Sequence, residues 1–207
     1  MRISARLTPT ILVTLTSGLL LSACLTSGPA TRFYSLIPVA GTSTVRLSGK
    51  PVTLVVKDVR LPLYLDRPQI VTRSEGSRLQ FSEFEQWGGN LRDEMTRLMA
   101  ENLGKQLEGA RVITAPHLLS VPPDYRLEVD VLGFEHESTG LVRLSARWTL
   151  MRGQDASILS SSEVILTSQP LGSAPAYETL VSAMSATYGE LARAIANDVL
   201  SQRPGGT

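Results

Sequence analysis

Cysteine is almost absent from this chain, whose 207 residues include only one, Cys24. A single cysteine cannot form an intrachain disulfide, so packing must stabilise the folded state. A metal site built from several cysteine thiolates is excluded by the same count.

The chain also lacks an excess of charge of one sign. It has 20 Lys and Arg residues against 19 Asp and Glu residues, a net charge of +1. Surfaces that bind nucleic acid carry a clear positive excess. The composition therefore gives no reason to expect nucleic acid as a partner, or binding driven by anionic lipid headgroups.

Histidine is scarce as well, with only His117 and His136. His136 stands between Glu135 and Glu137, but neighbours along a strand point to opposite faces, so the three side chains cannot converge on a metal ion without a bulge. We interpret this triplet as a solvated strand end and expect no metal or other cofactor. The Gly-x-Ser-x-Gly, Walker A and His-Glu-x-x-His motifs do not occur, so the sequence does not predict an enzyme. A Ser/His/Asp triad assembled in space stays open.

What the chain does contain is an export signal at its N-terminus. Arg2 and Arg6 precede the apolar run from Ile11 to Leu21, and no acidic residue accompanies them. Small residues then lead up to Cys24, as in secretory signals. The alternative is an ordinary N-terminal membrane anchor, although the run is shorter than the roughly 20 residues that span a bilayer.

The residues Leu21, Ser22, Ala23 and Cys24 resemble the lipobox of bacterial lipoproteins. In that family the cysteine carries a diacylglyceryl group and an N-acyl chain, which together give lasting membrane attachment. The resemblance implies that residues 1–23 are removed, that residues 24–31 form a lipidated tether and that the protein faces the periplasm. Loss of the two arginines of the signal leaves 18 basic residues against 19 acidic ones, a net charge of −1.

Apolar periodicity predicts one α+β domain over residues 32–202, followed by a flexible end at 203–207. Two long helices are expected to pack on one mixed, mostly antiparallel sheet. The nearly continuous apolar run that begins with Val52–Val56 and is ended by Pro62 indicates a strand covered on both faces, and Gly41 to Lys50 is interpreted as a loop. The strands are predicted at Arg32–Pro38, from Val52 up to Pro62, Gln69–Arg73, Arg78–Phe81, Ala110–Ala115, Tyr125–Val131, Val142–Leu150 and Ile158–Thr167.

Two segments have the periodicity of helices. The first runs from Trp87 to Leu107, with Gly109 as its stop and with Ser82 and Glu85 at capping-box spacing before it. Pro175 is expected to open the second helix. Its apolar stripe consists of Leu180, Met184, Tyr188, Leu191, Ile195 and Val199.

Several segments together resemble the PqiC family, the ABC-type transport auxiliary lipoproteins. They follow one another in the order of that family over nearly the whole chain after Cys24, and the block that starts at Leu61 is the most specific. The segments are Arg32–Leu36, Leu61–Val71, Trp87–Leu91, Ala146–Leu150 and Tyr177–Ser185.

This resemblance implies a lipoprotein of an MCE-type lipid transport system that partners an MCE-domain protein and supports envelope integrity without catalysis. Leu25, and not aspartate, follows Cys24. In enteric bacteria an aspartate after the lipidated cysteine favours retention in the inner membrane, so Leu25 favours the outer membrane. Because MCE proteins form rings and tubes, a homo-oligomer is expected.

Leu61 to Pro68 is the segment that we select as a candidate partner-binding loop. Two prolines stiffen its backbone, which lowers the entropy lost on binding. The alternative is a structural connector in which Asp66 and Arg67 pair inside the domain. The residues expected to meet the partner are Leu61, Pro62, Tyr64, Leu65, Asp66, Arg67 and Pro68.

Two functions of different classes follow from these observations. In the first, the domain docks a transporter assembly at the outer membrane. In the second, the domain is a periplasmic lipid carrier that shelters a lipid between its sheet and helices. Met95, Met99 and Met184 suit an adaptable apolar cavity of that kind.

Overall fold

The computed structural model describes residues 29–39, 45–46, 50–116 and 121–202. The chain divides into two compact units, residues 1–30 and 31–207, and the fold reported below is that of the second unit. The lipobox with Cys24, His117 and the predicted flexible end at 203–207 lie outside the described residues.

The described part of the second unit contains ten strands and two helices. The strands are β1 Arg32–Tyr34, β2 Val45–Arg46, β3 Val52–Val56, β4 Gln69–Arg73, β5 Leu79–Trp87, β6 Leu107–Glu108, β7 Ala110–Thr114, β8 Tyr125–Glu137, β9 Val142–Arg152 and β10 Ile158–Thr167. The helices are α1 Leu91–Gln106 and α2 Tyr177–Ser201.

Strand β8 organises the main sheet. Along one edge it pairs antiparallel with β9, which pairs in turn with β10. On its other edge, β3 pairs in parallel with its first residues and β4 pairs in parallel with its last. The sheet therefore divides beside β8 into two branches, one formed by β3 and β7 and the other by β4, β5 and β1.

Both helices pack on one face of this sheet, which confirms the predicted α+β class. Helix α1 contacts β3 and β7, helix α2 contacts β9 and β10, and the two helices contact each other. The longest strand pairings, β8 with β9 and β9 with β10, are antiparallel as expected for the predicted meander. In the described chain neither helix is both long enough and apolar enough to cross a membrane.

The second helix follows its predicted stripe. Every residue of that stripe is buried, from Leu180 to Val199. Tyr188 is fully buried, and its hydroxyl donates to the Met95 carbonyl oxygen at 3.0 Å, so the two helices are joined by a hydrogen bond as well as by packing. Burial raises the pKa of this tyrosine far above its ordinary value, so it stays a neutral donor.

The predicted start of the first helix is wrong. Asn90 caps α1 by accepting from the Asp93 backbone N–H at 3.1 Å, and Trp87 ends β5 instead of opening the helix. Ser82 and Glu85 also lie in β5, where the Ser82 hydroxyl accepts from the Glu85 N–H at 3.1 Å. The bond belongs to an irregular stretch of the β4–β5 ladder, so a local spacing typical of caps serves a strand bulge here.

Four further expectations need correction. Helix α1 ends at Gln106, because the next two residues form β6 and pair with β2. Strand β2 lies inside the stretch from Gly41 to Lys50, for which the sequence predicts a loop. The strand that begins at Val52 ends at Val56 and not at Pro62. Its alternate residues are buried, whereas Thr53 and Val55 are only half-buried, because both helices cover the same face.

Gly153, after β9, provides a stability test of this fold. A Cβ atom at this position would lie 1.7 Å from the Pro123 carbonyl oxygen, so the backbone must move to accept any side chain. We expect Gly153→Ala to destabilise the protein by roughly 2–4 kcal/mol in chemical denaturation. The control is Gly104→Ala, where a Cβ meets nothing within 4 Å inside helix α1. It should stabilise by about 0.5–1 kcal/mol, and equal effects of the two substitutions would contradict the close approach of Gly153 to Pro123.

Candidate functional site

The candidate loop interrupts a stretch of chain that runs beside β8. Residues 57–60 continue past β3, with the Lys57 N–H donating to the Leu127 carbonyl and the Arg60 N–H donating to the Val129 carbonyl, both at 2.9 Å. Pro62 has no N–H with which to extend this ladder. The chain then leaves the edge of β8 and returns to it as β4. We call residues Leu61–Pro68 the edge loop.

Backbone hydrogen bonds hold the edge loop in one conformation. The Pro62 carbonyl accepts from the Leu65 N–H at 2.9 Å, and the Arg67 N–H donates to the Leu65 carbonyl at 2.8 Å. At the far end, the Pro68 carbonyl accepts from the Trp87 N–H at 2.7 Å, which ties the loop to the last residue of β5. The loop is therefore a closed turn fixed at both ends.

A buried carboxylate anchors the middle of the edge loop. Glu135, buried in β8, accepts from the Tyr64 hydroxyl at 2.9 Å and from the Arg73 Nε at 2.8 Å. Burial and the nearby Glu135 charge raise the pKa of Tyr64 to about 12, so the phenol stays protonated and donates. The hydrogen bond to Glu135 also raises the pKa of Arg73 above its ordinary value. One carboxylate thus joins the loop, β4 and β8.

The two adjacent charges of the edge loop do not pair with each other. Asp66 forms its salt bridge with Arg92, in the first turn of α1. The Arg67 guanidinium instead lies 4.0 Å from the centre of the Phe81 ring, a cation–π contact with β5. Leu65 is buried in the core. Four of the side chains selected from the sequence therefore bind the loop to its own domain.

Leu63 is the residue of the edge loop that sequence reasoning missed. Leu63 is 89% exposed, between the half-buried Pro62 and Tyr64, whose hydroxyl reaches Glu135. Of the selected residues, Pro68 is also exposed, while Leu61 and Pro62 are half-buried. An apolar residue directly after a turn proline was the available signal. A rigid loop with one solvent-exposed leucine can insert that side chain into an apolar pocket of a partner.

The triplet around His136 lies at the end of β8, which runs into a turn after Glu137, as expected. Both Glu135 and His136 are buried, so the expectation that the triplet is solvated is wrong. The His136 Nε2 lies 3.0 Å from the Gly172 carbonyl oxygen. Within the described ranges, no three His, Cys, Asp or Glu side chains are grouped so that they could hold a metal ion.

The segment that follows the predicted tether is bound firmly to the domain. We call residues 32–39 the strap. Its backbone N–H groups donate to helix side chains: Leu36 to Glu94 at 2.5 Å, Ile37 to Ser185 at 3.1 Å and Val39 to Asn102 at 3.2 Å. The Leu36 side chain itself is buried in the core. The strap is thus part of the folded unit and not an extension of a linker.

A salt bridge fixes the first residue of the strap. The Arg32 Nε donates to the Glu85 carboxylate at 3.0 Å, across the parallel pair of β1 and β5. The hydrogen bond with Arg32 holds the pKa of Glu85 below its ordinary value. The chain therefore enters the domain at a defined place on its surface, beside the edge strand β1.

Mutations can distinguish a residue of the edge loop that binds the domain, Tyr64, from one that is exposed to solvent, Leu63. Tyr64→Phe removes a hydrogen bond to a buried carboxylate, so we expect a loss of about 1–3 kcal/mol in unfolding free energy. Leu63→Ala, the matched control in the same loop, should change stability by no more than about 0.5 kcal/mol because its side chain is exposed. Chemical denaturation of both variants checks this. A Leu63 variant as destabilised as the Tyr64 variant would show that the leucine is buried.

Comparison with solved structures shows the same fold in other proteins. An uncharacterized protein superposes with a TM-score of 0.68 at 19% identity, covering 83% of this chain and 99% of its own. A Xanthomonas campestris protein of family DUF330 superposes with a TM-score of 0.64 at 16% identity, covering 83% of this chain and 96% of its own. At such identities the likeness concerns the fold alone.

The sequence itself identifies the family. No curated protein matches the chain. The family model described as the ABC-type transport auxiliary lipoprotein component matches residues 34–196, a range that includes the strap from Tyr34 onward, the edge loop and nearly all of both helices. The chain belongs to the ABC-type transport auxiliary lipoprotein family.

Proposed function

We propose that this protein is the outer-membrane lipoprotein of an MCE-type intermembrane lipid transport system, where it docks the transporter assembly. The family supports a role as an auxiliary lipoprotein component of a transport system. The observation that carries the docking role is the rigid edge loop with its exposed Leu63.

The structure of the loop explains why it suits docking. Hydrogen bonds, a salt bridge and a buried leucine already order its backbone, so binding a partner does not carry the entropy cost of that ordering. An apolar side chain that enters a pocket of the partner loses its contact with water, which favours association. The binding site that fits Leu63 is an apolar pocket on the MCE-domain protein.

The proposed anchor is Cys24, with a diacylglyceryl group on its sulfur and an N-acyl chain. Leu25 in the next position supports the outer membrane as the destination. The protein would then act mechanically and without catalysis, by holding the transporter near the inner leaflet of the outer membrane. Because the partner assemblies are rings and tubes, we expect the protein to bind them as a homo-oligomer.

The carrier hypothesis gains no support from the residues that suggested it. Met95, Met99 and Met184 are buried in the same continuous core as the leucines and valines of the sheet. A groove of about 680 Å³ lies at one end of the sheet, but its lining mixes charged residues such as Lys50 and Arg152 with apolar ones. The geometry therefore favours docking over carriage.

The docking role is tested by co-purification with the MCE-domain protein in detergent. Leu63→Ser should weaken the complex by at least about tenfold, the equivalent of about 1.4 kcal/mol. The matched control is Ile165→Ser, an apolar residue of β10 that is 52% exposed. It should leave the complex intact. Failure of the unmodified protein to associate with an intact MCE assembly would refute the docking role.

The anchor is tested separately. Cys24→Ala should abolish incorporation of a fatty-acid analogue and leave an unprocessed or mislocalised protein. Its melting temperature should not change, because residue 24 precedes the folded unit that begins at Thr31. Metabolic labelling checks the first outcome and thermal denaturation the second. Label that persists on the alanine variant would rule out lipidation at Cys24.

A further inference from the structure

The strap exposes two large apolar side chains. Phe33 is 66% exposed and Ile37 is 57% exposed, although both lie in a segment that hydrogen bonds hold against the domain. Arg32 and Tyr34 on either side of the phenylalanine contact Glu85 and Tyr177 on the other face of β1. Because successive side chains of a strand alternate between faces, Phe33 must point away from them.

The position of the strap along the chain restricts what these residues can meet. Thr31 follows Cys24 by seven positions. Seven residues reach at most about 25 Å when fully extended. A folded unit of this size has a radius of gyration of about 16 Å and is therefore about 40 Å across. A lipid on Cys24 thus keeps the strap side of the domain near the bilayer.

The strap cannot withdraw these side chains from that surface. The Leu36 side chain is buried, and the backbone N–H groups of Leu36 and Ile37 are bound to Glu94 and Ser185. Strand β1 is held on one edge by β5, its sole strand neighbour within the described chain. The apolar groups therefore stay on the surface, at the part of the domain that the tether brings closest to lipid.

We propose that Phe33 and Ile37 form a membrane-contact site that inserts shallowly into the surface of the bilayer to which Cys24 is anchored. The proposal rests on the proposed anchor at Cys24. It assigns the strap a second task, which is to set the orientation of the domain on the membrane. The ligand is the apolar boundary of a phospholipid bilayer, since an aromatic ring and an aliphatic chain suit that layer better than water.

The experiment uses the chain from Cys24 to Thr207, which contains the whole folded unit. Its only cysteine allows coupling to a maleimide lipid in phosphatidylcholine vesicles whose acyl chains carry bromine. Phe33→Trp reports lipid contact, because bromine quenches tryptophan emission at short range. Trp87 and Trp148 are buried and contribute the same background to every variant. Ile165→Trp, on β10, is the matched control.

We expect brominated vesicles to quench the Phe33→Trp protein well beyond the Ile165→Trp protein, with a blue shift in its emission. Ile37→Trp is the second reporter, and melting temperatures confirm that each variant is folded. Equal quenching of the reporters and the control would overturn the proposal. A blue shift that depends on protein density and not on bromine would also overturn it, because a second copy of the chain would then cover the residues.

Chemical coupling separates this proposal from the proposed function. The maleimide lipid supplies an anchor at Cys24 whether or not the cell acylates that residue. Unquenched strap reporters on coupled protein would refute the membrane contact and leave the anchor untouched. Absent fatty-acid labelling in cells, together with quenching on coupled vesicles, would refute the biological anchor while the strap retains its affinity for lipid.

Discussion

The buried carboxylate of Glu135 is the interaction on which the arrangement of the site depends. A carboxylate removed from water costs several kcal/mol unless charged and hydrogen-bonding partners surround it. Here Arg73 on β4 and Tyr64 on the edge loop provide those partners. Glu135 lies on β8, Arg73 on β4 and Tyr64 on the edge loop, which connects the two branches of the sheet. The contacts that stabilise the Glu135 charge therefore also fix where the chain leaves the sheet and where it returns.

Buried polar side chains also hold the first segment of the domain, the strap, in place. Glu94, Asn102 and Ser185 project from the helices and accept backbone N–H groups of the strap. At one end of β1, Arg32 meets Glu85; at its other end the Tyr34 carbonyl accepts from Gly88. The edge loop ends next to that second end, through Trp87. The chain thus enters the domain at one end of β1, while the proposed docking surface begins near the other end.

Sequence reasoning worked where structure follows from local periodicity. The stripe of α2 and the alternation in β8 and β9 need only one buried face, so residue spacing predicts them directly. It failed at the start of α1, where Ser82 and Glu85 satisfy a capping pattern inside a strand. It failed again at His136, because the burial of that residue comes from a distant loop that provides the Gly172 carbonyl. At Ser82 and Glu85 the pairing of β5 with β4 decides the structure, and at His136 the deciding partner lies 36 residues away in the chain.

Residue patterns alone were enough to predict the family, the fold class, the buried stripe of α2 and the alternating faces of β8 and β9. The choice of Leu61–Pro68 as the partner-binding segment stays a prediction. The patterns were not enough to predict which residues of that segment point outward, which depends on the folded chain. Tyr64, Asp66 and Arg67 look like surface residues in the sequence, yet each meets a partner from β8, α1 or β5. Leu63 looks like a core residue in the sequence, yet it is exposed to solvent in the structure. The direction of a loop side chain depends on partners that folding brings from distant parts of the chain, and no periodic pattern in the loop records them.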